Sequence, residues 1–300
     1  MIQKVFIYAA ILLFGMIGRK LGAFRREHTK LLNTIICYLT LPAALVVGFQ
    51  GVTLTPLLLI GLALGLFTNG LLLLLGLLVS KKKAPYDRAV FVFNTNCFNI
   101  GSFAIPFLSG AVSPDGFAAI CVFDISVALM CYGVNVAVGN ALLGGDGKVR
   151  VFAVVKKIFT SPVVITYCIL FLLAFLKVSL PAPIMELAGI IGGANSFLAM
   201  LSVGILFQVK LQKKQWLTVA TLLPLRVGVL LLIAAGVFWL LPLPRDMKFA
   251  LCVILMAPCA GTAPSLTEAA GGDGECAAVI NSISIPISML LMTAMVALLG

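Results

Sequence analysis

Two stretches of this sequence place helix-breaking prolines beside amide and hydroxyl side chains inside otherwise apolar runs. One is Asn94-Thr95-Asn96-Cys97-Phe98-Asn99-Ile100-Gly101-Ser102-Phe103-Ala104-Ile105-Pro106, and the other is Met256-Ala257-Pro258-Cys259-Ala260-Gly261-Thr262-Ala263-Pro264-Ser265. Pro106, Pro258 and Pro264 each remove a backbone N–H and crowd the preceding turn, so both stretches should unwind or kink. At membrane depth, unwound backbone is tolerated only where protein or a water-filled cavity satisfies the freed groups. The chemistry on offer is the binding of an ion or small polar solute. Asn96 and Asn99 would supply amides and Thr262 and Ser265 hydroxyls, with Gly101, Pro106, Pro258 and Pro264 completing the candidate binding set.

Two charges lie within apolar runs near these stretches. Asp124 is in mid-span, and so is Arg226, close to Pro224. A charge at that depth costs at least about 2.5–3.5 kcal/mol on insertion scales, so it pairs or lines a cavity. The Arg226 fork matches a carboxylate through two hydrogen bonds and suits an anionic substrate. Asp124 is a candidate carrier of a proton or cation, with Ser282 as a second coupling residue; the alternative is that Asp124 and Arg226 neutralise each other. Glu268, near a span end, reads as solvated.

No catalytic set accompanies them: there are no paired aspartates beside a phosphate site, no Ser/His dyad and no metal cluster, so neither enzyme chemistry nor a cofactor is expected. The eight cysteines show no CxxC or Cys/His ligand spacing, and His28 is the single histidine. Gly144-Gly145-Asp146-Gly147 has no preceding strand and no phosphate-loop lysine, which argues against a nucleotide site.

The elements that must position these residues are membrane helices. Of 300 residues, 62% are hydrophobic and 10% charged, with mean hydropathy +1.17; soluble domains average about 45–50% apolar and about 25% charged. Apolar runs between polar breaks place spans near 4–22, 30–50, 55–79, 88–110, 116–143, 157–177, 185–208, 215–240, 247–270 and 275–298. The basic cluster follows the first run instead of preceding it, so residues 1–21 are read as a membrane helix and not as a cleaved signal. Pro42 should kink the second span. The net charge of +11 resides in short loops, which excludes a nucleic-acid face: 16 of the 21 basic residues fall after the first, third, fifth and seventh spans. The positive-inside rule then puts both termini outside a plasma (inner) membrane.

A shift of 158 residues superposes the two halves, bringing Asp115-Gly116 onto Asp273-Gly274 and Phe49-Gln50 onto Phe207-Gln208. The first broken stretch lands inside the second. Five spans per half is odd, so the second copy enters the membrane inverted. The expected fold is therefore an all-α polytopic membrane protein of ten helices in two inverted five-helix repeats, 1–143 and 157–300, joined by a cytoplasmic linker at 144–156. Inverted repeats with matching broken helices point to a transporter with its site at the midplane.

Three motifs resemble the auxin efflux carrier family of membrane transport proteins: Asn99-Ile100-Gly101-Ser102-Phe103-Ala104-Ile105-Pro106, Met256-Ala257-Pro258-Cys259-Ala260 followed by Gly272-Asp273, and Asn281-Ser282-Ile283-Ser284-Ile285-Pro286. Ser102, Ala104 and the inserted Ala257 depart from the family pattern. The resemblance implies a fold like that of bile-acid and sodium/proton transporters. In it, spans 1, 2, 6 and 7 form a scaffold that dimerises, and spans 3–5 and 8–10 form a mobile core where broken spans 4 and 9 cross. It implies secondary transport of a small organic anion, a dicarboxylate such as malate or malonate in bacterial members. A sodium-coupled symporter or cation/proton antiporter of the same fold is the alternative. The implied partners are that anion, H+ or Na+, the lipid bilayer and a second copy of the chain.

Overall fold

The computed structural model describes residues 2–108, 110–143, 152, 155, 156, 159–207 and 213–299. The expected linker at 144–156 lies almost wholly outside the described residues, as do Lys148, Arg150, Lys157 and Lys210 of the basic loops. The described chain is helical, without strands apart from one isolated bridge.

In chain order the helices are α1 (Ile2–Lys20), α2 (His28–Gly48), α3 (Leu58–Val79), α4 (Pro85–Asn96), α5 (Ile105–Leu108), α6 (Pro114–Leu142) and α7 (Pro162–Phe175), followed by α8 (Ala182–Leu206), α9 (Lys213–Leu240), α10 (Arg245–Leu255), α11 (Ala263–Ala269) and α12 (Gly274–Leu299). Among the described residues, six helices are long and apolar enough to cross a membrane: α2, α3, α6, α8, α12 and the Gln215–Leu240 part of α9. The runs at 88–110 and 247–270, which the prolines should break, each hold two helical pieces on either side of irregular backbone, α4 with α5 and α10 with α11.

Several helix ends follow directly from their residues. Pro85, Pro114 and Pro162 occupy first turns, where the missing N–H removes no helix bond. Ser113 caps α6 by accepting from the Gly116 amide at 3.2 Å. Asp273 accepts from the Cys276 amide at 2.9 Å at the start of α12. At the opposite kind of end, Arg19 donates to the carbonyls of Ile205 (3.0 Å) and Phe207 (2.9 Å), where α8 leaves its last carbonyls unpaired.

Packing sorts the helices into two groups. In the first, α1 lies along the second half of α8, the first half of α8 lies against α2, and α7 also packs on α2. Small residues bring these backbones close: a Cβ added at Gly15 would lie 2.8 Å from the Leu201 carbonyl, and one at Gly192 would lie 2.7 Å from the Ala44 amide nitrogen. The second group packs α3 against α4 and α6, α6 against α10, and α11 against α12 and α4, with α9 along α10. Its interior is filled by Phe91, Phe93 and Phe123, each essentially inaccessible. Large apolar side chains such as Phe6, Leu59, Phe67, Leu232 and Trp239 face outward, as a lipid-contacting surface requires.

Among the described residues, three wide π turns interrupt the helices, at Ile36–Thr40, Ile100–Ala104 and Met130–Val134. The first two end two residues before a proline, Pro42 and Pro106. Each proline lacks the N–H that would reach the carbonyl four residues back, at Tyr38 and Ser102, and its ring crowds that carbonyl. The turn ahead of it widens in response. The kink expected at Pro42 thus takes the form of a widened turn upstream of the proline.

Candidate functional site

The two broken stretches meet. Phe98 and Cys259 form an antiparallel bridge. The Asn99 amide donates to the Pro258 carbonyl at 2.9 Å, and the Ala260 amide donates to the Cys97 carbonyl at 3.3 Å. Backbone groups freed by one break are thereby satisfied by the other, as a low-dielectric setting demands. α12 completes the arrangement: Ser284 Oγ accepts from the Cys259 amide at 3.0 Å, and Asn281 Nδ2 donates to the Cys259 carbonyl at 2.5 Å.

Beside this meeting point lies a cavity of about 550 Å³. It is set between the two helix groups. Asn33, Tyr38, Tyr167 and Ser202 line it from α2, α7 and α8, and Asn99, Asp124, Thr262 and Ser282 line it from the opposite group. All three wide turns contribute to the wall, through Cys37, Gly101 and Cys131 among others. Wide turns of this kind recur at functional sites because they redirect carbonyls and side chains away from the helix pattern.

The candidate residues separate into two sets. Asn99, Gly101, Thr262, Asp124 and Ser282 line the cavity; Asn96, Pro106, Pro258, Pro264 and Arg226 do not. Asn96 is fully buried in an amide pair, donating from Nδ2 to Asn135 Oδ1 at 2.8 Å. The Pro106 carbonyl accepts from Tyr8 Oη at 3.0 Å and Ser196 Oγ at 3.3 Å, so it ties the break to the first helix group. Pro258 acts through its carbonyl on Asn99, and Pro264 occupies the first turn of α11.

The two mid-span charges are not paired with each other. Arg226 is 2% exposed, and its guanidinium donates to the carbonyls of Thr95 (2.6 Å), Cys97 (3.1 Å) and Ala257 (3.1 Å). It also lies 4.4 Å above the Phe98 ring. The guanidinium therefore grips the backbone of both breaks from behind the cavity. Asp124 is partly exposed to the cavity, and its Oδ2 accepts from the buried Tyr167 phenol at 2.8 Å. A Cβ added at Gly101 would stand 3.7 Å from that same oxygen, so the carboxyl lies against the start of the Ile100–Ala104 turn. Ser282 donates to the Ala278 carbonyl at 2.9 Å.

Several wall residues were not singled out from sequence. Tyr167, Tyr38, Tyr132, Asn33 and Ser202 are isolated polar groups within apolar helices, with no motif around them. Asn281 is part of a quoted motif, and the structure gives it both a wall position and the bond to Cys259. Pro42 and Pro106, each just past a wide turn, are the one signal that could have pointed to the turns.

Compared with known proteins, residues 1–140 match a family model described as membrane transport protein. No curated protein matches the chain. The matched stretch holds Asn99, Gly101 and Asp124, whereas Arg226, Thr262 and Ser282 lie beyond it.

Proposed function

We propose that this chain, whose residues 1–140 match a family model described as membrane transport protein, is a secondary transporter of the auxin efflux carrier type, carrying a small organic anion, a carboxylate, across the plasma membrane. The observation that carries this reading is the polar cavity between the two helix groups, with the bridged breaks as part of its wall. A solute held there touches both groups, so sliding one group past the other would turn the site from one membrane face to the other, an elevator form of alternating access. In this reading α1, α2, α7 and α8 are the scaffold and the remaining helices are the moving core, built as two inverted five-helix repeats with outward termini. The scaffold faces would pair two copies.

The carboxylate would be held by neutral donors. Asn99, Ser102, Thr262 and Asn281 offer amides and hydroxyls around the wall, and the start of the Ile100–Ala104 turn adds backbone N–H groups. Among the described wall residues, Asp124 is the one side chain with a formal charge. Bound anion and ionised Asp124 would repel, so the anion is best held with a proton on Asp124, and uptake becomes coupled to protons. The same observation favours the second reading, a sodium-coupled symporter or cation/proton antiporter, in which Asp124 binds the cation directly.

Uptake by proteoliposomes tests the proposal, with labelled dicarboxylates offered against monocarboxylates and amines under imposed pH or sodium gradients. Dicarboxylate uptake driven by a pH gradient and reduced about tenfold or more by Asn99→Ala, the loss of roughly one good hydrogen bond, is the expected result. Uptake of an amine in preference to any acid would overturn it.

A further inference from the structure

We propose that Arg226 is a built-in cation at the meeting of the two breaks, taking the place that a freely exchanging monovalent cation would otherwise fill. The inference rests on the transporter reading only for its consequence; the geometry stands by itself.

α4 and α10 both end at the meeting point, where a helix runs out of its own amides for its last carbonyls. A helix C-terminus carries about half a negative charge, so two of them amount to roughly one unit. Left bare in a buried setting, such carbonyls form a cation site of the kind that broken helices offer to Na+. Here the Arg226 guanidinium supplies one positive charge at that point. It donates to Thr95 and Cys97 from the first break and to Ala257 from the second. The Phe98 ring covers its face, and at 2% exposure the group has no route for exchange with solution. Guanidinium suits the task better than an ammonium, because its planar fork reaches carbonyls on two chain segments at once and it stays charged in a protein.

The consequence is an assignment of roles. The charge balancing the broken helices is covalently fixed on α9, so it stays in place through the cycle. No coupling cation needs to enter or leave this point, and any coupling falls to the cavity, where Asp124 is. Arg226 is thus a positioning residue that holds the two breaks in register, without touching substrate.

The test compares thermal stability of the purified full chain in sodium, potassium and choline chloride at equal ionic strength, for the natural protein, Asp124→Asn and Arg226→Ala, with and without millimolar guanidinium. With the cavity carboxylate neutralised by Asp124→Asn, the chain that keeps Arg226 should melt at the same temperature in all three salts. Arg226→Ala should melt lower than the natural protein by about 5–10 °C and regain part of that loss with guanidinium, which should leave the natural protein unchanged. Sodium stabilising the Asp124→Asn protein, which keeps Arg226, above potassium and choline would overturn the inference, and so would equal responses of the Arg226→Ala and natural proteins to guanidinium. If Arg226→Ala does not accumulate, Arg226→Lys serves in the same assay. A smaller loss with no sodium dependence supports the assignment, and a new sodium dependence overturns it. None of these measurements needs a substrate, so a wrong substrate class would appear in the uptake assay alone.

Discussion

Arg226 and Asp124 are both charges in the middle of apolar helices, and both border the same meeting of broken segments, yet their surroundings differ in kind. Arg226 is sealed behind the site with three backbone carbonyls and an aromatic face as partners. Asp124 opens onto the cavity with one phenol as partner. A buried charge whose partners are all backbone has been made part of the framework. A charge with one partner and an open side is free to trade a proton, a cation or a contact with solute. The difference shows that depth in the membrane alone does not mark a residue as a working part; the number and kind of its partners does.

The contrast is broken most sharply by neutralising each charge in turn. Arg226→Met keeps the bulk but strips the donor from the Thr95 and Ala257 carbonyls. At about 1–3 kcal/mol per unsatisfied buried group, the chain should lose about 2–6 kcal/mol of stability in denaturant unfolding. Asp124→Asn keeps an oxygen to accept from Tyr167, so its stability should change by less than about 1 kcal/mol while uptake loses its dependence on pH. If Asp124→Asn proves the more destabilising of the two, the division between framework and working charge fails.

Tyr167→Phe sharpens the comparison at the next level. It removes the phenol hydrogen bond to Asp124 and should cost about 1–2 kcal/mol, together with a displaced pH profile of uptake. A pure packing role would lower stability and leave that profile where it was. The smallest effect belongs to Gly101→Ala. Its Cβ would approach Leu41 Cδ2 to 3.2 Å and Asp124 Oδ2 to 3.7 Å. Leu41 is flexible enough to give way, so stability should move by less than about 1 kcal/mol, while substrate affinity falls a few-fold as the new methyl takes space beside the carboxyl.

These contrasts also explain what could be read from the chain itself. The breaks were legible because Pro106, Pro258 and Pro264 act locally, through one missing N–H and one crowded carbonyl each. Asn99, Gly101 and Thr262 follow from the same stretches, Asp124 from being charged in an apolar run, and Ser282 from a motif that resembles the family's. What escaped was everything set by side-chain direction across helices. Arg226 suits a carboxylate by its chemistry, but its fork reaches backbone carbonyls at positions 95, 97 and 257, which no local pattern encodes. Tyr167 lies 43 residues from Asp124 in sequence, and nothing beside it announces the contact. Asn96 has the same side chain as Asn99, but faces Asn135 instead of the cavity because α4 is still helical at 96 and extended at 97.

The close contact of α1 with α8 bears on how the chain is made. Arg19 meets its acceptor on Ile205 only 186 residues later in the sequence, and Gly15 finds its backbone neighbour at Leu201. At synthesis rates of about 5–20 residues per second, α1 waits roughly 10–40 s in the bilayer for the helix it was shaped to touch. Through that interval its small-residue face is open to lipid, to other nascent helices and to the insertion machinery. Assembly of this protein is thus a late event, and a chain interrupted before residue 195 leaves its first helix without the surface it packs on.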